Sequence, residues 1–126
     1  MAIIGLGTDV VEILRIEEQA SRLGVRFAQR ILTPSELEQW RTHKAPSRLL
    51  AKRFAVKEAA AKALGTGIGR GVSFQHIELR HNEAGAPLLH LSGGAAERLA
   101  VLGGRHCHVS LSDERDYAVA TVILES

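Results

Sequence analysis

The spacing of apolar positions changes character twice along the chain. Ile3-Ile4-Gly5-Leu6-Gly7 is a short apolar run that reads as a buried strand. Thr8-Asp9 follow, residue types whose oxygens commonly satisfy the free backbone N–H groups at a helix start. A helix is therefore predicted through Leu23, with Gly24 as its stop or kink and a second helical piece over 25–32. Thr33-Pro34-Ser35-Glu36 is a stronger signal: Thr33 can cap, Pro34 fits the first turn and Glu36 can close a capping box. That helix should reach His43 and turn Leu37 and Trp40 toward the core. The longest predicted helix runs from Pro46 to Leu64 and stops at Gly65. Leu50, Phe54 and Ala61 fall on one stripe, while Ala55, Ala59, Ala60 and Ala63 put small residues on its other sides, so more than one neighbour should pack closely.

Beyond Gly65-Thr66-Gly67-Ile68-Gly69-Arg70-Gly71, with glycine at every second position, strand patterns take over. Strands are predicted over 72–80 and 88–91, joined by the turn-rich stretch from Asn82 to Pro87. A short helix over 95–102 ends at Gly103-Gly104. From His106 to Ser112 the alternation is clean, with His106, His108, Ser110 and Ser112 opposite Cys107, Val109 and Leu111. A turn over 113–116 leads to a last apolar strand over 117–124. Helices early and strands late predict an α+β fold, amino-terminal helices packed on an antiparallel sheet.

The 126 residues fit one domain spanning 1–126, and a chain this short can draw on copies of itself to complete its core or its site. Charge is uneven: residues 1–70 carry twelve Lys/Arg against seven Asp/Glu, and residues 71–126 four against seven. A basic amino-terminal half suits an acidic partner: a nucleic acid, a phosphate-rich ligand or an acidic protein. Cys107 is the only cysteine, which excludes an intrachain disulfide and a cysteine metal cluster. No apolar run approaches the roughly 20 residues of a membrane span, and the opening lacks the basic start of an export signal. The expected setting is cytosolic.

Asp9 and Glu58 are the first candidates for chemistry. A carboxylate among alanines is costly unless a cation or hydrogen-bond donors compensate it, and Mg²⁺ commonly takes one or two protein carboxylates plus water and phosphate oxygens. The competing reading makes Asp9 a helix cap and pairs Glu58 with Lys62, one turn on. Lys57-Glu58-Ala59-Ala60-Ala61-Lys62 projects a carboxylate and a cation together, a combination phosphoryl transfer needs. The glycine-rich loop lacks the ending of a nucleotide P-loop and follows a helix rather than a strand, although its backbone N–H groups could still approach a phosphate. Arg15, Arg22, Arg26 and Arg30 recur at intervals of seven, four and four, which suits an acidic helix or a phosphate chain, or a plain solvated face. No Gly-x-Ser-x-Gly elbow is present, and His106 and His108 alone make no metal site. A small basic non-enzymatic module binding nucleic acid is the alternative, but the scattered aromatic residues form no stacking platform.

Three segments, GLGTDVVEILRIE, AKRFAVKEAAAKALGTGIGRG and HVSLSDERDYAVATVILES, together resemble the bacterial holo-acyl-carrier-protein synthase family, the short phosphopantetheinyl transferases. The resemblance covers essentially the whole chain in the expected order. It implies a 4′-phosphopantetheinyl transferase-like fold and transfer of phosphopantetheine from coenzyme A to a serine of apo-acyl-carrier protein, in support of fatty acid biosynthesis. It further implies Mg²⁺ on Asp9 and Glu58, with Glu58 and Lys62 as catalytic residues and Lys62 on the coenzyme A phosphates. Arg53, Gly65, Thr66 and His108 would lie near the nucleotide. Arg15, Arg22 and Arg26 would dock the acidic helix of the carrier protein. A homotrimer with active sites between subunits is implied as well, with no nucleic acid or membrane partner.

Overall fold

The computed structural model describes residues 1–126. In chain order the elements are β1 (Ile3–Glu12), α1 (Ile13–Leu23), α2 (Val25–Ile31), α3 (Pro34–Thr42), α4 (Pro46–Ala63), β2 (Ile77–His81), β3 (Pro87–Leu91), α5 (Gly93–Val101), β4 (His106–Asp113) and β5 (Tyr117–Glu125). β5 lies between β1 and β4 in an antiparallel three-stranded sheet, and β2 and β3 form a separate hairpin. The α+β class is as predicted. Four helices stand early, yet the first strand joins the last two, so the sheet closes the chain end to end. No helix is long and apolar enough to cross a membrane.

β1 is twice the predicted length. Thr8 and Asp9 do not open a helix; they pair with Thr121 and Ala120 of β5, and α1 begins only at Ile13. The ladder already satisfies the backbone groups that a cap would have served. Nor is this strand buried on both faces: Ile3, Leu6 and Val10 are exposed, while Gly7 and Val11 face the core. Gly24, at a φ of 68°, breaks α1 from α2 as expected. The capping box of α3 forms as read, with Glu36 Oε1 accepting from the Thr33 amide at 2.9 Å. The strand predicted over 72–80 is shorter, because a single 3₁₀ turn at Phe74–His76 intervenes before Ile77.

α4 is the central element. Leu50, Ala51, Val56, Ala59 and Ala61 are wholly buried, and Ala118, Ala120, Val122 and Leu124 of β5 form the sheet's inner face. The alanines are there because helix and sheet must approach closely, and longer side chains would hold them apart.

Lys57, which the sequence leaves unplaced, is also wholly buried. Its Nζ donates to Glu36 Oε1 at 2.6 Å, to the Ile31 carbonyl at 2.6 Å and to the Phe74 carbonyl at 3.2 Å. Glu36 Oε2 accepts from the Leu79 amide at 2.9 Å. One ion pair thus ties α2, α3, α4, the 3₁₀ turn and β2 together. Burial, which outweighs the attraction of Glu36, lowers the Lys57 pKa from its ordinary value. Beside this cluster Glu78 accepts from the Thr33 and Ser35 hydroxyls and from Arg80 Nε. The Thr33 hydrogen bond is the largest influence, and Glu78 titrates at about 2 instead of 4.5.

Two outcomes follow. Lys57→Met should destabilise the fold by about 3 kcal/mol in urea titration, because it strands the buried Glu36 charge; a loss under about 1 kcal/mol would contradict the central role of this pair. Since the Glu78 pKa is depressed on folding, its stabilisation is present above about 4.5 and is lost as pH falls toward about 2. Thermal melts across that window should show Glu78→Gln with a flatter acid slope than wild type.

Candidate active site

Gly5 and Gly7 sit on the inner face of β1, against α4. A Cβ at Gly7 would stand 2.0 Å from the Ala59 carbonyl oxygen, and one at Gly5 would stand 2.3 Å from that of Ala63. Backbone therefore packs on backbone, and the next inward residue of β1, Asp9, is carried alongside the outer edge of α4. There Lys62 Nζ donates to Asp9 Oδ1 at 2.9 Å and to the Thr8 carbonyl at 2.9 Å. Lys62 pairs with Asp9 and not, as helix spacing alone would have it, with Glu58.

Glu58 is half-buried near the same carboxylate. Burial first, then the charge of Asp9, raises its pKa; Lys62 only partly opposes them. Two carboxylates from different elements, with one lysine between them in the charge balance, leave an excess of negative charge that a divalent cation would neutralise. No three His, Cys, Asp or Glu side chains converge anywhere, so a metal here would rest on two carboxylates, a set that suits Mg²⁺ when water and phosphate oxygens complete its shell.

The pair opens into a cleft of about 280 Å³ between β1, α1 and α4, lined also by Arg15, Gln19 and Phe54. Gln19 and Phe54 also line the adjoining cleft of about 370 Å³, with Arg22, Arg30, Phe27 and Phe74. One groove thus runs from the carboxylates along the basic side of α1 and α2. Arg15, Arg22 and Arg30 border it; Arg26 is exposed but lines neither cleft.

Gly65 and Thr66 follow α4 at its carboxy-terminal end. The loop's first amides fold back into the helix: Gly65 N–H donates to the Lys62 carbonyl, and those of Thr66 and Gly67 donate to the Ala61 carbonyl. These three N–H groups close α4 and are not free for a phosphate.

Arg53 and His108 are not brought to the carboxylates within one chain. Arg53 points from another face of α4 toward α3; its Nη2 donates to Gln39 Oε1 at 3.1 Å, and its Nε lies 3.6 Å from Glu36 with no hydrogen bond. It borders a basic cavity of about 400 Å³ shared with Arg48, Lys52, His43 and His81. Burial, then Arg53 and Lys52, lower the His81 pKa. His108 stands on β4 opposite Ile123, on the outer sheet face, with Nε2 3.1 Å from Glu125 Oε1; Asp9 faces inward opposite Ala120. The basic cavity was missed in the sequence because its members are scattered from 43 to 81 and only folding gathers them.

The model of the 4′-phosphopantetheinyl transferase superfamily matches residues 5–122. A holo-(acyl-carrier-protein) synthase of Shewanella denitrificans is 63% identical over 126 residues, covering the whole of both chains, and one of Shewanella frigidimarina is 60% identical over the same length. The crystal structure of the Neisseria meningitidis synthase superposes with a TM-score of 0.93 at 42% identity, covering 99% of this chain and all of that one. A Bacillus anthracis synthase in complex with CoA (3′,5′-ADP) gives 0.84 at 39% identity, covering 98% of this chain and 97% of that one. The chain belongs to the 4′-phosphopantetheinyl transferase superfamily. Its place within it is among the holo-(acyl-carrier-protein) synthases, in agreement with the resemblance carried by its three motifs.

Gly7→Ala should cost about 3 kcal/mol, since neither strand nor helix backbone can yield without opening the core. Wild-type stability in chemical denaturation would mean that β1 and α4 do not meet so closely.

Proposed function

We propose that this protein transfers the 4′-phosphopantetheine group of coenzyme A to a serine hydroxyl of apo-acyl-carrier protein, releasing 3′,5′-ADP. The observation that carries this reading is the meeting of Asp9, Glu58 and Lys62 at the head of a basic groove. Asp9 and Glu58 hold Mg²⁺, which when bound neutralises charge on the diphosphate. The serine oxygen bonds to the pantetheine-bearing phosphorus, the bond from that phosphorus to the departing nucleotide breaks, and the serine proton passes to water held by a carboxylate. Lys62 steadies the phosphates, and the nucleophile belongs to the partner. Arg15, Arg22 and Arg26 present positive charge to an acidic helix of the carrier protein.

The nucleotide lies by Gly65 and Thr66 and is completed by Arg53 and His108 of a neighbouring copy, with the basic cavity beside Arg53 taking a phosphate. This division follows from the opposite facing of Asp9 and His108. A homotrimer supplies the neighbour: Leu6, Val10, Tyr117 and Val119 expose adjoining apolar surface on the outer sheet face that carries His108, a face a second copy would cover. The assembly works in the cytosol as a single domain repeated three times.

Intact-mass analysis of apo-acyl-carrier protein incubated with this protein, coenzyme A and Mg²⁺ tests the reading. A gain of one phosphopantetheine, abolished by chelator, is expected. Asp9→Ala and Glu58→Ala should fold and lose about 100-fold or more in rate. Full activity in either would remove the metal role, and no gain with wild type would remove the reaction.

A further inference from the structure

The charge that meets the nucleotide at the end of α4 has to come from side chains. The first three amides of the glycine loop are turned back into the helix. Glycines 65, 67, 69 and 71 all have positive φ, so the loop is shaped for close approach without offering those N–H groups. A cation from another element reaches this end of the helix. Arg98, on α5, donates from Nε to the Leu64 carbonyl at 2.9 Å, and its Nη2 lies 3.5 Å from the point a Cβ on Gly65 would occupy. That single bond is the side chain's only hydrogen bond, and no carboxylate is within ion-pair distance of it.

The geometry is that of a held guanidinium with a free edge. Nε is anchored on the carboxy-terminal carbonyl of α4, where a cation also complements the helix dipole. The anchor leaves both terminal nitrogens for an anion, and a guanidinium offers two parallel donors to phosphate oxygens. Leu64 is the C-cap of α4, two residues past Lys62, so Arg98 is anchored at the same end of the helix that carries Lys62.

The geometry points to Arg98 as a substrate-binding residue that holds the 5′-phosphate of the nucleotide, the group shared by coenzyme A and the departing 3′,5′-ADP. This rests on the transferase reading above, and it adds a residue outside the family motifs that α5 brings to the loop. Gly65 itself is called for by its φ of 79°, and the guanidinium lies at ordinary contact distance from where its Cβ would be.

The test is isothermal titration of the intact protein with 3′,5′-ADP, coenzyme A and dephospho-coenzyme A, for wild type and Arg98→Gln. Each ligand should bind about tenfold more weakly to the variant, the loss of one charged hydrogen-bonded contact, with KM for the carrier protein unchanged. Arg98→Lys, which keeps the charge but not the fork, should fall between the two. Unchanged affinities, whether or not Tm drops, would make Arg98 a helix cap and nothing more. A loss confined to the two ligands that carry a 3′-phosphate would overturn the assignment to the 5′-phosphate. If the variants do not fold, the Arg98 Nε–H resonance of the wild-type protein decides: it should move on adding 3′,5′-ADP, and a stationary resonance rejects the contact. Wild type that binds none of the three ligands and modifies no carrier protein would instead bring down the transferase reading itself.

Discussion

Backbone against backbone, β1 on α4, is the contact from which the rest of the arrangement follows. A helix normally rests on a sheet through a layer of side chains. Here Gly5 and Gly7 remove that layer on one side, and Ala59 and Ala63 thin it on the other, bringing the helix within 2.0 Å of where a Cβ on the strand would be. At such a separation short side chains reach across. Asp9, two residues beyond Gly7 on the same face, meets Lys62 directly and lies in the field of Glu58. With an ordinary separation the same three residues would be a surface scatter. The metal chemistry proposed for Asp9 and Glu58 is therefore a consequence of two glycines that take no part in it.

The other side of α4 is held by a different kind of force. Lys57 and Glu36 are both buried, and their charges would be costly alone. They are tolerable because nearly every remaining donor and acceptor is used, on carbonyls of Ile31 and Phe74 and on amides of Thr33 and Leu79. An apolar contact would let α4 rotate slightly at little cost; a lysine with three fixed acceptors does not. Lys57 and Glu58 are adjacent, so fixing the rotation of the first sets the direction of the second. Close packing determines how near the helix lies to β1, and the ion pair determines which residues it shows there.

Much of this was legible in the sequence, for reasons that can be stated residue by residue. The capping box at Thr33–Glu36, the break at Gly24 and the long alanine-rich helix are local signals and formed as read. The continuation of β1 through Thr8 and Asp9 was not, because it depends on pairing with residues more than a hundred positions away, and local capping propensity pointed to a helix. The buried Lys57 escaped for a similar reason: its acceptors come from three separate segments. Asp9, Glu58 and Lys62 were legible as a set, but their pairing was not, since helix spacing matches Lys62 to Glu58 and only the strand contact turns it to Asp9. Arg98 carried no signal, being a lone arginine in a short helix whose target is a carbonyl at the end of another.

The facing of the residues also explains how so short a chain can serve a large cofactor. Along a strand, alternate side chains point to opposite faces, so Asp9 and His108 cannot meet in one copy however the loops are arranged. Arg53 is turned away by the geometry of α4, a quarter-turn or so from the line through Phe54, Glu58 and Lys62. Under the proposed assembly this is no defect. Each copy offers the metal-binding edge on one side and the basic cavity with His108 on others, so a second copy can complete what the first begins. The apolar outer face of the sheet then has two consequences at once: burying it stabilises a small core, and doing so sets one chain's nucleotide contacts beside another chain's carboxylates. Stability and catalysis become properties of the same interface, so a change that weakens the sheet-to-sheet contact would reduce both, with no need to touch a reacting group.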